Sequence, residues 1–200
     1  MANPIRGWLF KNIANGITIL GIILSIWLVS VAINSPNQLW VITTLIVLIG
    51  LTDLLDGKVA RFLAIKSVFG GALDRLRDKT FICSTLFVLL YHYQNDTFES
   101  LASFNFTAAL VISVIIIECL LLFVWLLALI KKWNVDAGKY GKIKMTLQFI
   151  IVLVWIVSIT SKQYFNLSLI NFSIYLLNFL LLAAIYFGIK SLEGYYRRYA

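Results

Sequence analysis

Cysteine, proline and histidine are almost absent from this chain, at two, two and one in 200 residues. Cys83 and Cys119 both lie inside apolar runs, so neither a disulfide framework nor a thiolate zinc site is supported, and both read as packing residues. His92 stands between Tyr91 and Tyr93 at the end of an apolar run, where membrane-interface aromatics gather, and is not read as catalytic. The shortage of proline leaves no pair of broken spans of the kind that transporters use for a buried ion site. Acids are scarce as well, nine against seventeen Lys and Arg.

Apolar residues are what the chain has in abundance: 61% of the sequence is hydrophobic, with a mean hydropathy of +0.92. A soluble domain is apolar over nearer half its length, so this composition implies one polytopic membrane domain. The net charge of +8 does not indicate nucleic acid, because the basic residues sit in short gaps between apolar runs rather than along one solvated face. No alternating strand pattern occurs, and irregular backbone cannot face lipid. The expected fold is therefore an all-α integral membrane protein. Six transmembrane helices are expected, at roughly Gly16–Ile33, Leu39–Asp56, Thr80–Tyr93, Ala108–Ile130, Ile143–Thr160 and Leu167–Ile189.

Crossing about 30 Å of hydrocarbon takes about 20 helical residues, so the third span is long enough only if its helix begins near Val68. Residues 5–13 mix aromatic and basic side chains in a way that suits an N-terminal interfacial helix. The expected organisation is a single domain over 1–200, with the interfacial helix in 1–15 and a six-helix bundle in 16–190. The first apolar run continues as far as a spanning helix and has no small-residue cleavage site, so no removable signal peptide is expected. Sixteen of the seventeen basic residues fall at the termini or in the gaps after spans two and four, with only Lys162 on the other side. The positive-inside rule then puts both termini in the cytoplasm of a multi-pass protein of the cell (inner) membrane.

Against this apolar background, Asp53, Asp56, Asp74 and Asp78 bring four carboxylates into 26 positions. Read as helix, Asp53, Asp56 or Gly57, and Ala60 share one face, and Gly70, Asp74 and Asp78 share a face of the next helix. Clustered carboxylates at a membrane edge repel one another and resist leaving water unless cations neutralise them. Hard oxygen donors without a Cys or His pair suit Mg2+ or Mn2+, which commonly keep substrate phosphates among their ligands. The competing reading is that these acids form surface ion pairs with Lys58, Arg61, Arg75 and Arg77.

The spacing Asp-x2-Asp-Gly-x2-Ala-Arg-x8-Gly-x3-Asp-x3-Asp resembles the signature of the CDP-alcohol phosphotransferases at every position, through Asp53, Asp56, Gly57, Ala60, Arg61, Gly70, Asp74 and Asp78. The resemblance implies transfer from a CDP-linked lipid, CDP-diacylglycerol, to a small alcohol with release of CMP, by a homodimer using two divalent cations, Mg2+ or Mn2+. It implies Asp53, Asp56 and Asp74 as metal ligands, with Asp78 as general base and a ligand of the second metal. It also implies that Gly57 and Ala60 leave room for the cytidine, that Gly70 allows close helix approach and that Arg61 reaches the diphosphate. As an alternative, Gly57, Ala60 and Gly70 are simply small residues at helix crossings.

Two further stretches resemble bacterial phosphatidylglycerophosphate synthases: Asn12-Ile-Ala-Asn-Gly-Ile-Thr18, with Ala14 where proline is usual, and Gly141-Lys-Ile-Lys-Met-Thr-Leu-Gln148, with Met145 in place of Thr. Glycerol 3-phosphate is therefore the leading acceptor. Inositol phosphate, a glycerolipid, or transfer from a CDP-alcohol to diacylglycerol are the alternatives. Lys142 and Lys144 read equally as ligands for an acceptor or lipid phosphate and as orientation-setting charges. Glu118, flanked by apolar residues inside a span, is expected to face the bundle and pair with a cation or hydroxyl. The chain departs from those synthases at Gly21 and Ile117, where Arg is usual, and at Arg75 and Arg77, where Pro and Ala are usual. The two arginines are read either as replacing the missing charge or as holding lipid phosphates at the surface. A small cation transporter is the reading outside this class, but it does not explain why the acids gather at one membrane face beside Arg61.

Overall fold

The computed structural model describes residues 4–35, 38–62, 68–92, 100–131, 138–165 and 170–199, with side chains at 16–35, 38–52, 71–91, 100–131, 138–164 and 173–197. These residues form six α-helices: α1 (Pro4–Asn34), α2 (Leu39–Phe62), α3 (Val68–His92), α4 (Leu101–Ile130), α5 (Lys139–Phe165) and α6 (Ile170–Tyr199). No strand occurs among the described residues. α3 begins at Val68, the start that the third expected span requires. Residues 5–13 do not form a separate helix, because α1 runs without a break from Pro4 to Asn34.

Among the described residues, four helical segments are long and apolar enough to cross a membrane: Gly16–Asn34, Leu101–Ile130, Lys139–Tyr164 and Ser173–Arg197. In α2 the apolar stretch is shorter, Leu39–Thr52. α4 starts earlier than the apolar run suggested. Ser100 caps it, its extended backbone turning the hydroxyl to accept from the Ser103 amide at 3.2 Å. Leu101–Thr107, expected to belong to a loop, is thereby helical.

The helices fall into two compact units, Met1–Thr85 and Leu86–Ala200. In the first, α1 packs on α2. Leu39, Ile42, Leu45, Ile46 and Ile49 of α2 recur at helical spacing and are buried, as are Leu28 and Ala32 of α1. In the second unit α6 packs on both α4 and α5. The buried stripe of α4 runs through Leu110, Val114, Ile117, Leu121, Trp125 and Ala128. Its opposite face is apolar too, with Ile112, Ile116, Leu120, Phe123 and Ile130 all exposed. A helix that is apolar all round needs a nonaqueous surrounding on its outer face.

Hydroxyls on these helices return to their own backbone. Ser25, Thr44, Thr80, Ser113 and Thr146 each donate to the carbonyl four residues earlier, which satisfies the hydroxyl where water is excluded. Two hydroxyl contacts join helices in the second unit, Thr107 donating to Asn178 at 2.8 Å and Ser158 against Ser173 at 2.6 Å.

Candidate active site

The carboxylates of α3 are the described part of the motif. Asp74 and Asp78 stand one turn apart, and Arg77 lies between them in sequence but reaches both. Its Nη2 donates to Asp74 Oδ1 at 2.8 Å and to Asp78 Oδ1 at 3.0 Å. The Arg77 side chain is 1% exposed, whereas those of Asp74 and Asp78 are 50% and 25% exposed. A buried guanidinium thus draws two partly exposed acids to a single point. The ion pair with Arg77 exists, but as an inward-turned pair and not as a surface one. Arg77 is accordingly not presented at the surface to lipid phosphates.

Arg77 has room because position 21 of α1 lacks a side chain. A Cβ on Gly21 would sit 2.5 Å from Arg77 Cδ, 3.2 Å from its Cγ and 3.2 Å from Thr52 Oγ1. Thr52 is itself fixed, its hydroxyl donating to the Ile49 carbonyl at 2.7 Å. The glycine and the buried arginine, both departures from the synthase pattern, meet in space.

Asp53, Asp56, Gly57, Ala60 and Arg61 lie on the helical backbone of α2, and Gly70 on that of α3, but their side chains are outside the described residues. Among the described residues no three acidic, cysteine or histidine side chains gather as a metal-binding group. The donor set that is described nevertheless fits a hard divalent cation. Two carboxylate oxygens from successive turns already converge on a positive nitrogen, and oxygen donors are what Mg2+ and Mn2+ take. Arg75 is partly buried on the same helix.

A second polar cluster lies in the other unit. Glu118 of α4 is 1% exposed, and its Oε1 accepts from both Lys144 Nζ and Gln148 Nε2 of α5, the latter at 2.5 Å. Lys144 and Gln148 are one turn apart, so one face of α5 delivers both donors. Glu118 therefore faces inward and pairs with a cation, as expected of an acid within a span. Lys142, two positions from Lys144, is exposed, so the two lysines that shared one reading from sequence are in different surroundings. Sequence reasoning assigned no role to Gln148, although its spacing from Lys144 marked it as lying on the same face. Its Oε1 is buried and has no hydrogen-bond partner among the described residues. Close packing surrounds the cluster: a Cβ at Gly188 of α6 would lie 2.7 Å from Ile117 Cγ2 and 3.7 Å from Lys144 Cδ.

The described helices make an all-helical, membrane-type protein with two acids gathered on one buried arginine. The family model for CDP-alcohol phosphatidyltransferases matches residues 11–189, most of the chain, and the protein belongs to that family. It is a transferase of this kind, acting in phospholipid head-group transfer from a CDP-alcohol, and the family generally depends on divalent metal. No curated protein matches the chain.

Proposed function

We propose that the protein transfers a phosphatidyl group from CDP-diacylglycerol to glycerol 3-phosphate, as a phosphatidylglycerophosphate synthase does, with release of CMP. The observation that carries this reading is the convergence of Asp74 and Asp78 on α3, at the register the family signature requires, in a chain matched by the family over residues 11–189. Asp53, Asp56 and Asp74 would hold the metal ions, with Asp78 touching the second. Bound divalent cations would supply charge neutralisation at the diphosphate.

The remaining chemistry falls to the chain. Asp78 takes the proton from the acceptor hydroxyl as its oxygen bonds to the lipid-side phosphorus; the bond from that phosphorus to the bridging oxygen breaks, and CMP leaves with that oxygen. Arg61 orients the diphosphate with its planar fork of donors. Gly57 and Ala60 leave space for the cytidine, and Gly70 allows close helix approach. Lys142 and Arg75 supply positive charge for an acceptor or lipid phosphate, while the charge of the buried Lys144 is taken up by Glu118.

All six helices cross the bilayer in this reading, as one domain working as a homodimer in the inner membrane. α2 has 24 residues and α3 has 25, each about 36 Å long at 1.5 Å per residue, enough to span with the motif ends at the surface. An even number of crossings returns both termini to one side, which the distribution of basic residues makes cytoplasmic.

The test is CMP release by purified protein with CDP-diacylglycerol and a panel of alcohols. Glycerol 3-phosphate should be the productive acceptor, activity should vanish on chelation, and Mg2+ or Mn2+ should restore it. Full activity in excess EDTA would exclude the metal assignment. CMP release only with inositol phosphate or a glycerolipid would keep the chemistry and replace the acceptor.

A further inference from the structure

We propose that Gly21 and Arg77 form a matched pair through which the site carries its own cation. Arg77 is a positioning residue that holds Asp74 and Asp78 together before any divalent ion arrives, and it competes with that ion for their oxygens. The proposal rests on the reading of Asp74 and Asp78 as metal ligands, and its geometry is independent of that reading.

A long arginine near a membrane surface ordinarily extends its head toward water and leaves only its stem buried. Arg77 does the reverse, being 1% exposed while the two acids it holds are more open. Its stem lies where a side chain at position 21 would otherwise be, within 2.5 Å of a Cβ built there. That distance is shorter than real Cβ contacts, so any larger residue at 21 must push the arginine stem or move α1. The packing therefore fixes the direction of the guanidinium, and the acids come to it.

A buried guanidinium is costly unless carboxylates compensate it, and neighbouring carboxylates repel unless a cation lies between them. Arg77 and the acid pair thus stabilise one another when no metal is bound. A divalent ion entering at the same oxygens meets a unit positive charge a few ångströms away, and that repulsion weakens its binding. The site is preorganised at the expense of metal affinity, so metal occupancy becomes sensitive to the ambient cation concentration.

The experiment uses the full chain in detergent and needs no substrate. In EDTA, thermal unfolding is compared for wild type, Gly21→Ala, Arg77→Ala, which removes the stem atoms that the new Cβ would strike, and the Gly21→Ala/Arg77→Ala double variant. Gly21→Ala should lower the midpoint in the wild-type background and lower it less once the Arg77 stem is gone. An equal loss in both backgrounds would overturn the pairing. Mn2+ binding is then followed by the spectroscopic signal of free Mn2+. Arg77→Met should bind Mn2+ about tenfold more tightly or better, the scale of removing one nearby like charge from a partly wet site.

Asp74→Asn and Asp78→Asn serve as controls and should weaken Mn2+ binding. If they bind it as wild type does, the ligand assignment itself fails and takes the competition with it. If they weaken it while Arg77→Met leaves affinity unchanged or lower, the ligands stand and the competition is overturned. Should Arg77→Met fail to fold, Gly21→Ala carries the same test, because displacing the stem draws the guanidinium off the acids and should also tighten Mn2+ binding; unchanged affinity there overturns the proposal.

Discussion

Asp74 and Asp78 share a guanidinium but are assigned different work, and substitution separates the two roles. Asp78→Asn keeps the size and removes both the charge and the capacity to take a proton. At saturating metal and CDP-lipid its turnover should fall by about 100-fold or more, the scale of a general base, and excess Mn2+ should not restore it. Asp56→Asn should instead weaken metal binding and recover in part as Mn2+ is raised. Steady-state CMP release across a Mn2+ series decides the matter; wild-type turnover for Asp78→Asn alongside a loss at Asp53 or Asp74 would move the base to another acid. The acids were legible in the sequence because four carboxylates stand out in an apolar chain and their spacing is a signature. The burial of Arg77 was not legible: charge pattern does not say whether a long side chain at a helix end turns outward or inward. The room for it to turn inward is left by a missing side chain on α1, far away along the chain. Glu118 was easier, since a carboxylate inside an apolar run must find a partner. Lys144 and Gln148 supply that partnership, and removing one side of such a buried pair typically costs about 3–5 kcal/mol.

Helix existence and type followed from the length of the apolar runs, whereas helix ends were set by local chemistry that hydropathy does not register. α4 gains its first turn from the Ser100 cap, and α3 runs back to Val68 through the charged segment that holds Asp74, Arg77 and Asp78. Packing between helices was the least legible level. Gly188 sits among apolar residues with nothing local to mark it, yet it is where α6 comes against Ile117 of α4. Small residues at such crossings let helices in lipid approach closely. Gly188→Ala should therefore destabilise the second unit by about 1–3 kcal/mol, the usual cost of overpacking, read as a lower thermal midpoint in detergent. Combining it with Ile117→Leu, which removes the branched methyl that the new Cβ would strike, should return much of that loss. A Gly188→Ala protein as stable as wild type would mean that the crossing has slack.

At the scale of the whole molecule, the distribution of basic residues and the chemistry make the same demand. The proposed reaction consumes a CDP-linked lipid, and its diphosphate must meet the motif ends of α2 and α3 on one side of the bilayer. Those ends carry Lys58, Arg61, Arg75, Arg77 and Lys79, and the gap after α4 adds Lys131, Lys132 and Lys139 to the same side if the helices cross alternately. Ser35 and Ser100, beside the intervening gaps, then fall on the opposite side, where no basic residue accompanies them between α1 and α2 or between α3 and α4. This gives a topology that single cysteines can read. With Cys83 and Cys119 replaced by Ser so that no native thiol is present, a cysteine at Ser35 or Ser100 should react with a membrane-impermeant maleimide in intact cells. A cysteine at Lys66 or Lys139 should react only after the membrane is opened. Labelling of the second pair from outside would invert the protein and separate its acids from cytoplasmic CDP-lipid. Labelling of Ser35 and Lys66 from the same side would show that α2 does not cross, which its short apolar stretch, Leu39–Thr52, makes the most exacting point of the six-span arrangement.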